Sequence, residues 1–170
     1  GHSFGAVTTQ VMAGQKLGRG NRLYDLKDPR FRAAIAYSPS IGYNDDQPQD
    51  KIYGSIDLPM FHMTGTHDTS PVRPELGYKY RLKIYNAASG AAQYLAILDE
   101  ADHMVFTGSR GKLGHSEKRS LYESLICQLS LVFWDYYLKE KQDAKKWLID
   151  KGPEFLGEHG SLDYKNLPKK

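Results

Sequence analysis

Gly1-His2-Ser3-Phe4-Gly5 opens the chain with the pattern G-x-S-x-G, and the reading of this pentapeptide decides the fold. Glycines two before and two after a serine let a strand turn sharply into a helix, because a side chain at either position would crowd the turn. The serine is then held in a strained backbone with its hydroxyl exposed, as a nucleophile requires. On its own the spacing also suits an ordinary loop, so the residues downstream decide between the two. Ala6, Val7, Val11 and Met12, with the small Gly5 and Ala13, predict a helix that leaves the turn and packs closely on a sheet. A buried strand is expected to deliver the turn, and no residues precede Gly1 to form it, so the chain is expected to begin in mid-domain.

Three short apolar runs follow at residues 33–37 (AAIAY), 58–64 (LPMFHMT) and 94–98 (YLAIL), each bounded by turn-forming or polar residues. Continuous apolar runs of this length predict strands buried on both faces, as in a parallel sheet. Between the last two, residues 75–88 carry a broken helical pattern with Leu76, Tyr80, Ile84 and Ala88 on one face. Residues 117–141 form a long amphipathic segment in which Leu121, Leu125, Leu129, Val132, Phe133 and Tyr136 recur every three or four positions. Residues 144–149 suit a last short helix. The stretches 14–30 and 40–57 are polar and broken by glycine and proline, the second with tyrosine and isoleucine anchors. Strands alternating with helices predict an α/β domain, a mostly parallel sheet flanked by helices. It is expected to span residues 1–156, with 157–170 as a loosely specified polar tail.

Composition narrows the function classes. A chain of 170 residues, 40% hydrophobic and 12% aromatic, can bury one sizeable core. The net charge of +3 arises from 23 basic and 20 acidic residues spread along the chain, without the dense basic run that tracks a phosphate backbone. Nucleic acid is therefore not the expected partner. No stretch reaches the roughly 18 apolar residues of a membrane span. The single cysteine, Cys127, has no internal disulfide partner and lies in an apolar stretch, so it is expected to be buried.

Ser3, Asp68 and His103 each lie just past the end of a strand-like segment. A serine hydroxyl is a poor nucleophile at neutral pH and needs a histidine to take its proton and an acid to hold that imidazole in the right tautomer. Each role is filled once, in the chain order Ser, Asp, His that α/β-hydrolases use. The rival histidines are less well placed. His62 falls inside an apolar strand and suits the core, His67 shapes the turn beside Asp68, His2 is expected to point away from the serine, and His115 and His159 lie in polar surroundings. Asp99, Glu100 and Asp102 are too close to His103 in sequence to reach its imidazole in the required orientation. No H-E-x-x-H or cysteine pairing suggests a metal, and no cofactor is expected. The glycine-rich stretch 108–114 lacks the order of a phosphate-binding loop and reads as a rim loop.

With these residues in view, the chain resembles the carboxyl-terminal part of an α/β-hydrolase fold enzyme. GHSFGA matches the nucleophile elbow, PMFHMTGTHDTSP resembles the strand and turn carrying the acid, and LAILDEADHMVF resembles those carrying the histidine. One departure is that Pro71 comes three residues after Asp68, one sooner than the family pattern. The pattern is closest to the dienelactone hydrolase and platelet-activating-factor acetylhydrolase-like group, over residues 1–156. The resemblance implies Ser3 as nucleophile, His103 as general base and then acid, and Asp68 as the residue orienting His103. It also implies that the backbone N–H of Phe4 is one oxyanion donor, with a second from an upstream loop outside this sequence. Losing one such donor costs about 10² to 10³ in rate, so the chain is expected to be impaired.

Tyr43, Met104 and Phe106 are candidates to line a substrate pocket; Tyr37 suits such a pocket or the core. The expected activity is hydrolysis of small or medium carboxylic esters. A prolyl-oligopeptidase-type peptidase and a catalytically inactive or binding-only fragment are the alternatives. An exposed sheet edge next to the elbow is expected to promote self-association.

Overall fold

The computed structural model describes residues 1–19, 22–41, 47–110 and 118–168. From the elbow the chain enters helix α1 (Phe4–Met12) and then a small antiparallel hairpin, β1 (Leu17–Arg19) and β2 (Arg22–Tyr24). Strand β3 (Ala34–Tyr37), helix α2 (Gln49–Tyr53), strand β4 (Met60–His67), helix α3 (Tyr78–Ala87) and strand β5 (Gln93–Asp102) follow. Helices α4 (Arg119–Lys139), α5 (Gln142–Asp150) and α6 (Gly152–Leu156) lead to a final strand, β6 (Gly160–Lys165).

The main sheet has four strands in the order β3-β4-β5-β6. β3 pairs parallel with β4 and β4 parallel with β5, while β6 returns antiparallel on β5, with Leu98 opposite Gly160 and Gln93 opposite Lys165. The apolar runs read from the sequence are buried because both faces of the sheet are covered. Ile35, Phe61, Met63, Tyr94 and Leu98 point to one face and pack against Leu125, Leu129 and Phe133 of α4, Leu148 of α5 and Leu156 of α6. Ala34, Ala36 and Met60 point to the other and pack against Ala6 of α1, Ile52 and Tyr53 of α2 and Ile84 of α3. Alternate residues of one strand thus feed two separate cores, as the period of two in a strand requires.

Three expectations need correcting here. The polar segment 157–170 is not loosely specified, since β6 lies within it and its Leu162 and Tyr164 pack on the core. The unused hydrogen-bonding edge of β5 organises it, a partner that composition does not reveal. Residues 40–57 are not wholly irregular, because Ile52 and Tyr53 anchor the short helix α2 and are fully buried. Cys127 is exposed. It lies on the side of α4 away from Leu125, Leu129 and Phe133, in a helix where the surrounding apolar residues exceed what one core-facing stripe can bury.

Among the described residues, the outer edge of β3 is engaged by the opening residues alone. The Gly1 nitrogen donates to the Ile35 carbonyl at 2.9 Å, Tyr37 N–H donates to the Gly1 carbonyl at 2.8 Å, and Ser3 N–H donates to the Tyr37 carbonyl at 2.9 Å. Beside this edge runs a cavity of about 340 Å³ lined by Met12, Phe31, Ala33, Ile35 and Trp134, among others. Phe31 remains 49% exposed, and Leu131 and Leu138 of α4 are 53% and 47% exposed.

His62 behaves as a core histidine. It is buried within β4, with Nε2 at 2.9 Å from Gln93 Oε1 and the ring edge-on to Tyr85. Because the amide oxygen only accepts, Nε2 carries the proton. Desolvation pushes the imidazole down to about 4, so in the folded chain it stays neutral where an unfolded histidine is charged. Between the ordinary value near 6.5 and about 4 the unfolded chain binds the extra proton, and stability is lost as pH falls through this window. The expected loss is on the order of 3 kcal/mol. Chemical denaturation at pH 7 and pH 4.5 should show it, and His62→Gln, which cannot gain a proton there, should flatten the difference.

Candidate active site

The elbow carries the backbone distortion that its sequence suggests. Ser3, immediately before α1, has φ 54 and ψ −118, a region that L side chains rarely occupy. A Cβ on Gly1 would come within 2.4 Å of the Gly5 carbonyl oxygen, so the tight turn demands glycine there. Gly5 is different: a Cβ there would meet nothing within 4 Å, because this position on the first turn of α1 faces outward. Of the two, only Gly1 is sterically required.

Asp68 and His103 reach Ser3 from the ends of neighbouring strands. Asp68 follows β4, His103 follows β5, and both are buried. His103 Nε2 is 2.9 Å from Ser3 Oγ, and His103 Nδ1 is 2.8 Å from Asp68 Oδ1. The second carboxylate oxygen accepts the Thr64 hydroxyl proton at 2.8 Å. The two strand ends are held together by a main-chain contact. A Cβ on Gly65 would lie 2.1 Å from the Ala101 carbonyl oxygen, and here the β4–β5 register shifts.

His2 lies beside His103. Its Nε2–H donates to the His103 carbonyl at 2.9 Å, and the two rings lie 4.7 Å apart. His2 thus braces the backbone of His103, and its partial burial lowers its affinity for a proton while that hydrogen bond opposes the shift. Asp102 Oδ1 accepts the N–H groups of Met104 and Val105 at 2.8 and 3.1 Å, fixing the turn after His103 rather than its imidazole. His67 is exposed at the end of β4, and His159 lies in a turn before β6. His115 and residues 111–114 of the glycine-rich stretch lie outside the described residues, as does Tyr43.

The pocket expected from Met104 and Phe106 does not form around Ser3. Phe106 is buried in the core and stacks on Tyr37 at 6.3 Å, while Met104 lines a separate cavity with Glu100, Asp102 and Tyr122. The turn fixed by Asp102 carries both side chains past the serine. Tyr37 is also packed on the core, its hydroxyl 2.8 Å from Ser130 Oγ. On the other side of the site a cavity of about 90 Å³ opens between Phe4 and Arg81, with Ile41, Leu76 and Tyr80 in its wall. The Phe4 ring is 68% exposed there. Phe4 is the first residue of α1, so its N–H belongs to the first-turn donors that have no acceptor within the helix.

Arg81 was not anticipated from the sequence. It lies on the apolar face of α3 with Ile84 and Tyr85, is only 6% exposed, and places Nη2 2.9 Å from Asp68 Oδ1. Desolvation lowers its proton affinity and the Asp68 carboxylate raises it again. The signal in the sequence is a cation three residues before Ile84 and seven before Ala88, where the helix should be apolar. Among the described residues no three His, Cys, Asp or Glu side chains gather where they could hold a metal ion. Compared with known proteins, the chain matches no family model and no curated protein.

Proposed function

We propose that the chain is a serine hydrolase of the α/β-hydrolase fold that cleaves carboxylic esters through an acyl-enzyme on Ser3. The observation that carries this reading is the unbroken sequence of contacts from Ser3 Oγ through the His103 imidazole to Asp68, with the serine held in a positive-φ turn. The acid after β4 and the base after β5, on adjacent parallel strands, support the fold assignment.

In acylation, Ser3 Oγ attacks the ester carbonyl carbon while His103 Nε2 takes the hydroxyl proton. The carbonyl oxygen gains negative charge, and the donor we propose for it is the Phe4 N–H, which has no acceptor within α1. Collapse of the tetrahedral intermediate breaks the bond to the alcohol oxygen, and the imidazolium returns its proton to that oxygen. Water then attacks the acyl carbon with His103 again as base, releasing the carboxylic acid and restoring Ser3. The cavity between Phe4 and Arg81 is small and largely apolar, which favours a short acyl or alcohol group.

A fluorophosphonate probe tests the reading directly. Peptide mass mapping should find the probe on Ser3, and the folded chain should hydrolyse p-nitrophenyl acetate. A folded sample left unmodified at Ser3 would falsify the assignment.

A further inference from the structure

We propose that Gly77 sets the acyl specificity of the site, because the side-chain space it leaves empty is the part of the cavity beside Phe4 that receives the acyl chain of the ester. The inference deepens the serine hydrolase reading and rests on it. Nothing in the backbone asks for glycine at residue 77, immediately before α3. Its φ of −79 and ψ of 179 are extended values that any L residue adopts. Packing does not ask for it either, since a Cβ there would meet no atom within 4 Å. Gly77 lines the cavity between Phe4 and Arg81, so the room left by its missing side chain belongs to that cavity.

The walls around this space are tied in place. Ser70 N–H donates to the Leu76 carbonyl at 3.0 Å, Leu76 N–H to the Arg73 carbonyl at 2.9 Å, and Arg73 N–H to Ser70 Oγ at 3.2 Å, which closes residues 70–76 on themselves. In another part of the wall, the Ile41 carbonyl accepts the hydroxyl of the fully buried Tyr53 at 3.0 Å. The Arg81 guanidinium joins the turns after β3 and β4. Its Nη1 donates to the Ser38 and Pro39 carbonyls at 3.1 and 3.0 Å, and its Nη2 to the Thr69 carbonyl at 3.3 Å. Walls held in this way relax little into an empty space. The cavity measures about 90 Å³. That is the room of roughly three water molecules, or about three carbons beyond the carbonyl, which a butyryl group fills.

The acyl half of the ester enters this cavity and the alcohol half does not. The alcohol oxygen must lie within hydrogen-bond reach of His103 Nε2, which returns its proton. Phe4, the neighbour of Ser3, lines the cavity, whereas His103 and His2 do not. The group that fills it is therefore the one held away from the imidazole.

The test sets p-nitrophenyl acetate, butyrate and hexanoate, which differ in the acyl chain, against ethyl, butyl and hexyl acetate, which differ in the alcohol. Both series are run on the parent chain, Gly77→Ala, Gly77→Leu and Leu76→Ala. The parent should favour butyrate over hexanoate. Gly77→Leu should lower kcat/KM for butyrate relative to acetate by roughly 10- to 100-fold, the range for methylenes that find no room in an apolar pocket, with Gly77→Ala in between. Leu76→Ala should raise hexanoate by roughly 10-fold on the same ground. The order of the alkyl acetates should be that of the parent in every variant. Equal loss on acetate and butyrate in folded Gly77→Leu, or a shift in the alkyl acetates instead, overturns the proposal. Methyl NMR with 1-butanol as the probe needs no turnover. Butanol should shift the Ile41 and Leu76 methyl signals of the parent and leave those of Gly77→Leu unmoved, and equal shifts in both overturn the proposal as well. If the parent neither hydrolyses esters nor labels on Ser3, the hydrolase reading falls, while the butanol titration still decides whether the space at Gly77 holds an alkyl chain.

Discussion

Ser3→Ala should end fluorophosphonate labelling and lower ester hydrolysis by roughly 10⁶-fold, the scale of loss when an acyl-enzyme nucleophile is removed. The substitution leaves the His103 imidazole and Asp68 in place, so whatever rate remains reports binding and oxyanion stabilisation alone. Ser3→Gly should be equally inactive but should differ in stability. At φ 54 and ψ −118 a side chain of any kind stores strain, and alanine keeps that strain while glycine does not. Strain of this sort costs about 1–3 kcal/mol, partly offset by the greater freedom of glycine in the unfolded chain. A net gain of about 1 kcal/mol raises Tm by roughly 2–4 °C in a chain of this size. Calorimetry of the two variants measures the difference, and an alanine variant that melts above the glycine one would show the turn to be relaxed.

Asp68→Asn should lower kcat by about 10⁴-fold with little change in KM, because the amide enforces the wrong imidazole tautomer. The Thr64 hydroxyl donates to Oδ2, so the amide oxygen takes that place and the N–H₂ takes the place of Oδ1, facing His103 Nδ1 and the Arg81 guanidinium. Nδ1 becomes an acceptor, and the proton moves to Nε2, where it points at Ser3 instead of receiving from it. Asp68→Ala should fail in a second way. Arg81 is 6% exposed and would remain a buried cation without its anion, a loss of about 3–5 kcal/mol and a Tm drop on the order of 10 °C. Steady-state kinetics and thermal melts separate the two effects. An Asp68→Asn variant with near-parental kcat would remove Asp68 from the catalytic machinery.

The residues differ in how plainly the sequence exposed them. Strands β3, β4 and β5 were visible because burial on both faces leaves a run of apolar residues with nothing to interrupt it. Ser3, Asp68 and His103 stood out by position, since polar side chains just past strand ends gather at one edge of a parallel sheet. Strand β6 was hidden because its polar alternation carries no sign of the neighbour that completes it. Phe106 read as a pocket residue because the turn fixed by Asp102, which sends its ring into the core, leaves no mark at residue 106 itself. Arg81 stands in α3 between Lys79 and Lys83 and reads like one more solvated charge. Its burial depends on carbonyls from two turns distant in sequence, and only its place on the apolar face hints at it.

The close approach of Gly65 to Ala101 sets a limit on how this site can change. Asp68 N–H donates to the Gly65 carbonyl at 2.9 Å, so the acid's turn hangs directly from that contact. A single methyl at residue 65 would act as a wedge between two stiff rods, prising the carboxylate from the imidazole without touching either. The gap between acid and base is thus gauged by the main chain at the floor of the site. Substitutions that retune the walls facing a substrate leave this gauge untouched, so the cavity beside Phe4 is free to diversify while Gly65 and Ala101 are not.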